Sequence, residues 1–168
     1  MNKLNWDVYF ITQAFLVSQK SIDTSTKCGA ILVSKKNRIL SVGYNGPLQG
    51  VDDSKIPLER PAKYTMFLHS EENCLLSYNG DEYQIENSRI YITGIPCHKC
   101  LRMIIQKGIK KIIYANVTPF CCIEEEDKKS RSLMLELKPE VKLIEFKKMD
   151  KVKELLKRTI DYIDFKSK

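Results

Sequence analysis

The stretch from Arg89 to Ala115, RIYITGIPCHKCLRMIIQKGIKKIIYA, decides the class of fold. Arg89 to Ile92 predicts a short strand. Cys97 to Lys107 predicts a helix that Gly108 closes, and Lys111 to Ala115 predicts a further strand. Strands alternating with helices imply an α/β sheet covered on both faces.

Towards the N-terminus, His69 opens a helix that runs to about Tyr78. Residues 46–68 carry Gly46, Pro47, Gly50, Pro57 and Pro61 with little periodicity, which predicts a long loop, and loops of that length are more often functional than ornamental. Cys28 to Val33 and Ile39 to Tyr44 are apolar runs on either side of the polar Lys35-Lys36-Asn37-Arg38, the pattern of an antiparallel hairpin. Trp6, Tyr9, Phe10, Ala14 and Val17 recur at intervals of three and four and predict an amphipathic first helix, ending before Asp23-Thr24-Ser25-Thr26. On the C-terminal side, Glu124-Glu125-Glu126-Asp127-Lys128-Lys129 reads as a solvated loop or helix start. A short helix over 133–137, a strand over 141–146 and an amphipathic helix over 149–163 complete the chain. With no internal repeat or low-complexity tract, one domain over 1–168 is expected.

Hydrophobic residues make up 43% and charged residues 29% of the 168, the balance of a globular rather than a disordered or membrane chain. No apolar run approaches the roughly 20 residues of a spanning helix, and Met1 to Trp6 lacks the apolar core of a secretory signal. A cytoplasmic location with no membrane partner is therefore expected. In a reducing compartment, cysteines 28, 74, 97, 100, 121 and 122 read as buried thiols, metal ligands or catalysts rather than disulfides. The net charge of +7 suits an anionic partner, nucleotide or nucleic acid, although most individual lysines fit an ordinary solvated surface.

His69-Ser70-Glu71 and Pro96-Cys97-His98-Lys99-Cys100 together resemble the H-x-E and P-C-x-x-C signature of zinc deaminases. One imidazole and two thiolates give Zn2+ three protein ligands and leave its fourth tetrahedral position for water, as a catalytic site requires. Bound zinc lowers the pKa of that water towards neutrality. Glu71, two residues beyond His69, reaches the same cavity without being a ligand and suits the general acid-base role. Both segments stand at predicted helix N-termini, where the dipole favours thiolate over thiol.

Each half of the signature is weak alone. A C-x-x-C entering a helix after a strand also fits a thioredoxin-like redox pair, and an isolated H-x-E occurs by chance. Their order, with Pro96 before the first cysteine, gives the pair its weight. A structural zinc module with four protein ligands is the non-enzymatic rival, and Cys121 or Cys122 would be the residue to close it. Cys28 and Cys74 fall in a predicted strand and a helix interior, where small buried hydrophobes are the default. His98 reads as a bystander pointing away from the site.

Five stretches are similar to the deoxycytidylate deaminase family of the cytidine deaminase superfamily. They are Trp6-Asp7-Val8-Tyr9-Phe10, Cys28-Gly29-Ala30, Gly43-Tyr44-Asn45-Gly46 and the two zinc segments, so coverage is good over about 6–115 and thin afterwards. The resemblance implies a three-layer α/β/α fold with a mixed sheet of about five strands. It implies hydrolytic deamination of a deoxycytidine nucleotide, dCMP to dUMP, with dCTP as the alternative substrate and a free nucleoside or RNA less favoured. Asn45 would contact sugar and base, although Asn-Gly-Pro is also ordinary turn chemistry. The backbone N–H of Ser70 would lie near the pyrimidine oxygen, and Lys27, with Lys20 behind it, would meet the phosphate. A homo-oligomer, hexameric or similar, with dCTP and dTTP effectors and Mg2+ beside the effector, is also implied. Ser70 departs from the family's commoner alanine. Residues 46–68 contain neither Cys nor His, so one zinc is expected.

Overall fold

The computed structural model describes residues 3–117 and 124–166. Its helices are α1 (Trp6–Ser18), α2 (Ser70–Leu76), α3 (Glu82–Glu86), α4 (His98–Gln106), α5 (Glu125–Leu137) and α6 (Met149–Lys166). Its strands are β1 (Gly29–Val33), β2 (Ile39–Tyr44), β3 (Gly46–Pro47), β4 (Phe67–Leu68), β5 (Arg89–Ile92), β6 (Lys111–Tyr114) and β7 (Lys142–Glu145). Five of these strands form one sheet in the order β2-β1-β5-β6-β7. β1 is antiparallel to β2 and β5, whereas β5, β6 and β7 run parallel, so the sheet is mixed as expected.

Successive residues of a strand face opposite sides, and here both sides are apolar. Ala30, Leu32, Ile90, Ile92 and Ile112 pack with Cys74 and Leu75 of α2 and Leu101 and Ile104 of α4. Ile31, Val33, Tyr91 and Ile113 face the other way, against Phe10, Ile11 and Ala14 of α1 and Val152 of α6. Helices on both faces make the three α/β/α layers. Each fully buried aliphatic side chain in these clusters contributes about 2 kcal/mol through area removed from water.

The quoted stretch folds as its punctuation predicts. Gly108, at φ +77, ends α4: its N–H donates to Ile105 at 2.9 Å and that of Ile109 donates to Ile104 at 3.2 Å. This paired arrangement satisfies the last helical carbonyls and needs a residue at ease with positive φ. The first helix departs from its predicted stripe. Trp6 is 43% exposed and stacks on Phe10, while Val8 and Ile11 turn inward beside Phe10 and Ala14, which are buried as expected. α5 is longer than its apolar residues predict because Glu125, Glu126 and Asp127 occupy its first turn, where the helix dipole favours acidic side chains. The 46–68 loop carries the two-residue pair of β3 and β4 and two single 3₁₀ turns. Pro119, Cys121 and Cys122 lie outside the described residues.

Candidate active site

The C-terminal end of β5 leads into the Cys97 turn, and the start of α2 meets it there. This meeting depends on Gly43 of β2, where an added Cβ would lie 2.3 Å from the Ser70 carbonyl oxygen and from the Cys74 nitrogen. His69 and Cys97 are the N-caps of α2 and α4, both in extended conformation. The His69 N–H donates to Glu72 Oε2 at 2.7 Å, which fixes the first turn of α2.

His69 Nδ1 lies 3.6 Å from Cys97 Sγ and 3.3 Å from Cys100 Sγ, and the three ligand atoms all fall within 4.8 Å of one another. Tetrahedral zinc with bonds near 2.0–2.3 Å sets its donor atoms roughly 3.3–3.8 Å apart, so the two sulfur-to-nitrogen distances fit such an ion. Among the described residues this is the single cluster of three or more metal-ligating side chains. The Cys100 contact, working with His69 and against burial, holds the Cys97 thiol down at about 3. The Cys97 contact, aided by the Glu71 charge and opposed by burial, raises His69 to about 9. The Cys97 contact and burial push the Cys100 thiol up.

Glu71 is 5% exposed and stands outside the ligand trio; burial raises its carboxyl, and the Ser70 hydroxyl donates to its Oε2 at 2.9 Å. His69, Ser70 and Glu71 line a cleft together with Cys28 and Asn45. The Asn45 side chain is fully engaged as a donor. Its Nδ2 reaches Thr26 O at 2.8 Å and Asp23 Oδ2 at 3.2 Å, while Oδ1 accepts the Cys28 N–H at 2.7 Å. One lone pair of Oδ1 is left for a ligand.

Lys27 and Lys20 are exposed and do not line the cleft. The basic residues on its wall are Arg60 and Lys63, both from the long loop. Lys63 is buried, with Nζ 2.9 Å from each Asp23 oxygen and 2.5 Å from Ser25 Oγ. Sequence reading missed all three of Arg60, Lys63 and Asp23. Nothing in the loop distinguishes Lys63 from solvated lysines. Asp23 did carry a signal, since an Asp followed by Ser and Thr is placed to accept the N–H groups two and three residues on, as Asp23 Oδ1 does from Ser25 and Thr26. Cys74 is the buried thiol expected: burial raises it to about 11, and Ser41 donates to its carbonyl at 2.7 Å. His98 is not among the clustered ligands, and Asp127 holds both its backbone N–H and its ring.

The fold and this trio define a zinc-binding deaminase domain. The pattern described as the cytidine and deoxycytidylate deaminase zinc-binding region matches residues 4–116, and the chain belongs to that family. It is 36% identical over 117 residues to the deoxycytidylate deaminase of Mus musculus and 35% identical over 117 residues to that of Pongo abelii, each match covering 66% of this chain and 65% of the relative. An uncharacterized deaminase of Aliivibrio fischeri is 41% identical over 126 residues, covering 75% of this chain and 78% of the relative. The dCMP deaminase of cyanophage S-TIM5, solved in complex with dCMP and dUMP, superposes with a TM-score of 0.68 at 28% identity, over 87% of this chain and all of that one. The chain thus spans just under two thirds of the mammalian enzymes it matches.

Proposed function

We propose that this chain, as one catalytic domain over 1–168, hydrolyses dCMP to dUMP and ammonia and so supplies thymidylate synthesis. The observation that carries the reading is a buried carboxyl, Glu71, beside but outside a His-Cys-Cys trio of metal-binding geometry. His69, Cys97 and Cys100 would hold one Zn2+, which when bound supplies a Lewis-acidic centre that lowers the pKa of water. Glu71 takes a proton from the attacking water and gives it to N3 of the cytosine ring as C4 gains a hydroxyl; it then carries the proton of that hydroxyl to the 4-amino group, so that the C4–N bond breaks, ammonia leaves and the C4 carbonyl forms. Burial supports this shuttle, because a carboxyl raised from its ordinary value holds a proton more readily near neutral pH. The Ser70 N–H, in the first turn of α2, is available to the pyrimidine oxygen.

Asn45, with both amide hydrogens committed, serves the sugar as an acceptor for a hydroxyl. Arg60 is the phosphate contact favoured over Lys27 and Lys20, because it lines the cleft. The deoxycytidylate relatives favour dCMP over dCTP. The family resemblance extends the proposal to a cytoplasmic homo-oligomer, hexameric or similar, with dCTP and dTTP as effectors and Mg2+ beside them. Among the described residues, no helix is long and apolar enough to cross a membrane.

The test incubates zinc-loaded protein with dCMP, dCTP, deoxycytidine and a short RNA and measures ammonia and the uracil product. Turnover of dCMP well above the others is expected, and no turnover of any of them would remove the reading. Glu71→Gln is expected to keep its zinc and lose activity by about 10²- to 10⁴-fold.

A further inference from the structure

The turn that carries the two thiols is anchored by a helix outside the family-matched region. His98 is the first residue of α4 and stands between Cys97 and Cys100. Its backbone N–H donates to Asp127 Oδ1 at 2.7 Å, and its ring Nδ1 lies 2.7 Å from the same oxygen. The second Asp127 oxygen pairs with the Arg131 guanidinium one turn further along α5. Asp127 is 5% and Arg131 7% exposed, whereas Glu125 and Glu126 of the same helical turn are exposed.

A carboxylate at the start of α5 favours the helix dipole without needing burial, as its two neighbours do. Burial of a charge is costly unless it is matched, so the third acid of the run is turned inward at an expense that α5 alone does not explain. What the burial accomplishes is specific. The first N–H groups of a helix have no partner within it, and Asp127 takes one from the residue that joins the two sulfur ligands. A bare carboxylate beside two thiolates would also oppose their negative charge, and Arg131 matches it.

We propose that Asp127, held by Arg131, is a positioning residue for the metal centre: through His98 it fixes the Cys97–Cys100 turn at zinc-binding spacing. This rests on the metal-binding part of the proposed function and not on the substrate. The arrangement matches the way outer partners orient metal ligands generally, where their loss weakens metal binding by about 10- to 100-fold.

The test uses the full zinc-loaded chain and reads zinc release to an excess chromogenic chelator, together with the visible absorption of the Co2+-substituted protein. Asp127→Ala is expected to release zinc about 10- to 100-fold faster and to shift the Co2+ bands. Asp127→Asn, which keeps an acceptor oxygen, should fall between it and the parent. His98→Pro serves if Asp127→Ala does not fold. Proline is tolerated at a first helical position, and Cys97 at φ −67, ψ 165 already has the extended conformation required before it, so this change deletes both contacts and keeps the helix. Folded Asp127→Ala or His98→Pro protein with the parent release rate and Co2+ spectrum would overturn the inference alone. A parent chain that takes up no zinc would overturn both the inference and the metal reading beneath it.

Discussion

The Lys63 ammonium lies 2.9 Å from both oxygens of the Asp23 carboxylate, with the two side chains 4% and 6% exposed. The pair ties the long loop to the segment before β1, and the same carboxylate holds the Asn45 amide. Removing one partner of a buried pair strands the other charge. Lys63→Met should therefore lower unfolding stability by about 3 kcal/mol and raise KM for dCMP through the loosened Asn45. Urea denaturation and steady-state kinetics check the two effects. A loss under about 1 kcal/mol would mean that water reaches the abandoned carboxylate.

The Asp23 pair also predicts a response to acid. Burial acts to raise the carboxyl, but Lys63 and the Ser25 and Thr26 donors outweigh it and leave the net value below 3.8. A group whose folded value is depressed contributes stability above its unfolded value and loses it as pH falls through the folded one. The stabilisation should be complete at neutral pH and fade below about pH 4. Asp23→Asn should thus be less stable than the parent at pH 7, with the gap narrowing in acid. Denaturation midpoints at both ends of that range provide the measurement, and a gap independent of pH would exclude Asp23 titration as its source.

Arg60 and Lys27 offer a direct comparison of cleft against surface. A charge-assisted contact to phosphate contributes about 1.5–3 kcal/mol, so Arg60→Ala should raise KM for dCMP by about tenfold or more. Deoxycytidine, which has no phosphate, should be handled alike by parent and variant. Lys27→Ala should leave both substrates unchanged. If Lys27→Ala raises KM for dCMP and Arg60→Ala does not, the phosphate contact belongs to the exposed lysine.

The metal trio was legible because each ligand stands beside a local signal: Pro96 before Cys97, a strand before and a helix after, and Glu71 at fixed distance from His69. The sheet was legible for a related reason, since Gly108 and the runs at 29–33, 89–92 and 111–114 encode their own boundaries. The cleft's charged wall was not. Asp23 and Lys63 are 40 residues apart in the chain, and their pairing exists only once the long loop folds back onto the segment before β1. Asp127 was hidden in the same way, because the Glu-Glu-Glu-Asp run reads as uniform surface until α5 packs on α4 and turns one of four acids inward. Trp6 shows the converse. Its apolar character placed it in a predicted stripe, but stacking on Phe10 leaves its outer face open to solvent.

Gly43 joins the sheet to α2, and its substitution should separate fold from site. An added Cβ would stand 2.3 Å from both the Ser70 carbonyl oxygen and the Cys74 nitrogen. Both atoms are backbone, so neither can swing aside and α2 must move as a unit. Overpacking of this kind costs about 3 kcal/mol. Because His69 caps α2 and Cys97 caps α4, any shift of α2 off β2 carries Nδ1 relative to the two sulfurs. Gly43→Ala should accordingly bind zinc more weakly than a variant destabilised to the same degree elsewhere, such as Val152→Ala in the opposite layer. Chelator competition on the two variants, compared at matched unfolding stability, makes the measurement. Equal zinc affinity in both would mean that the contact of α2 with β2 supports the fold without setting the metal site.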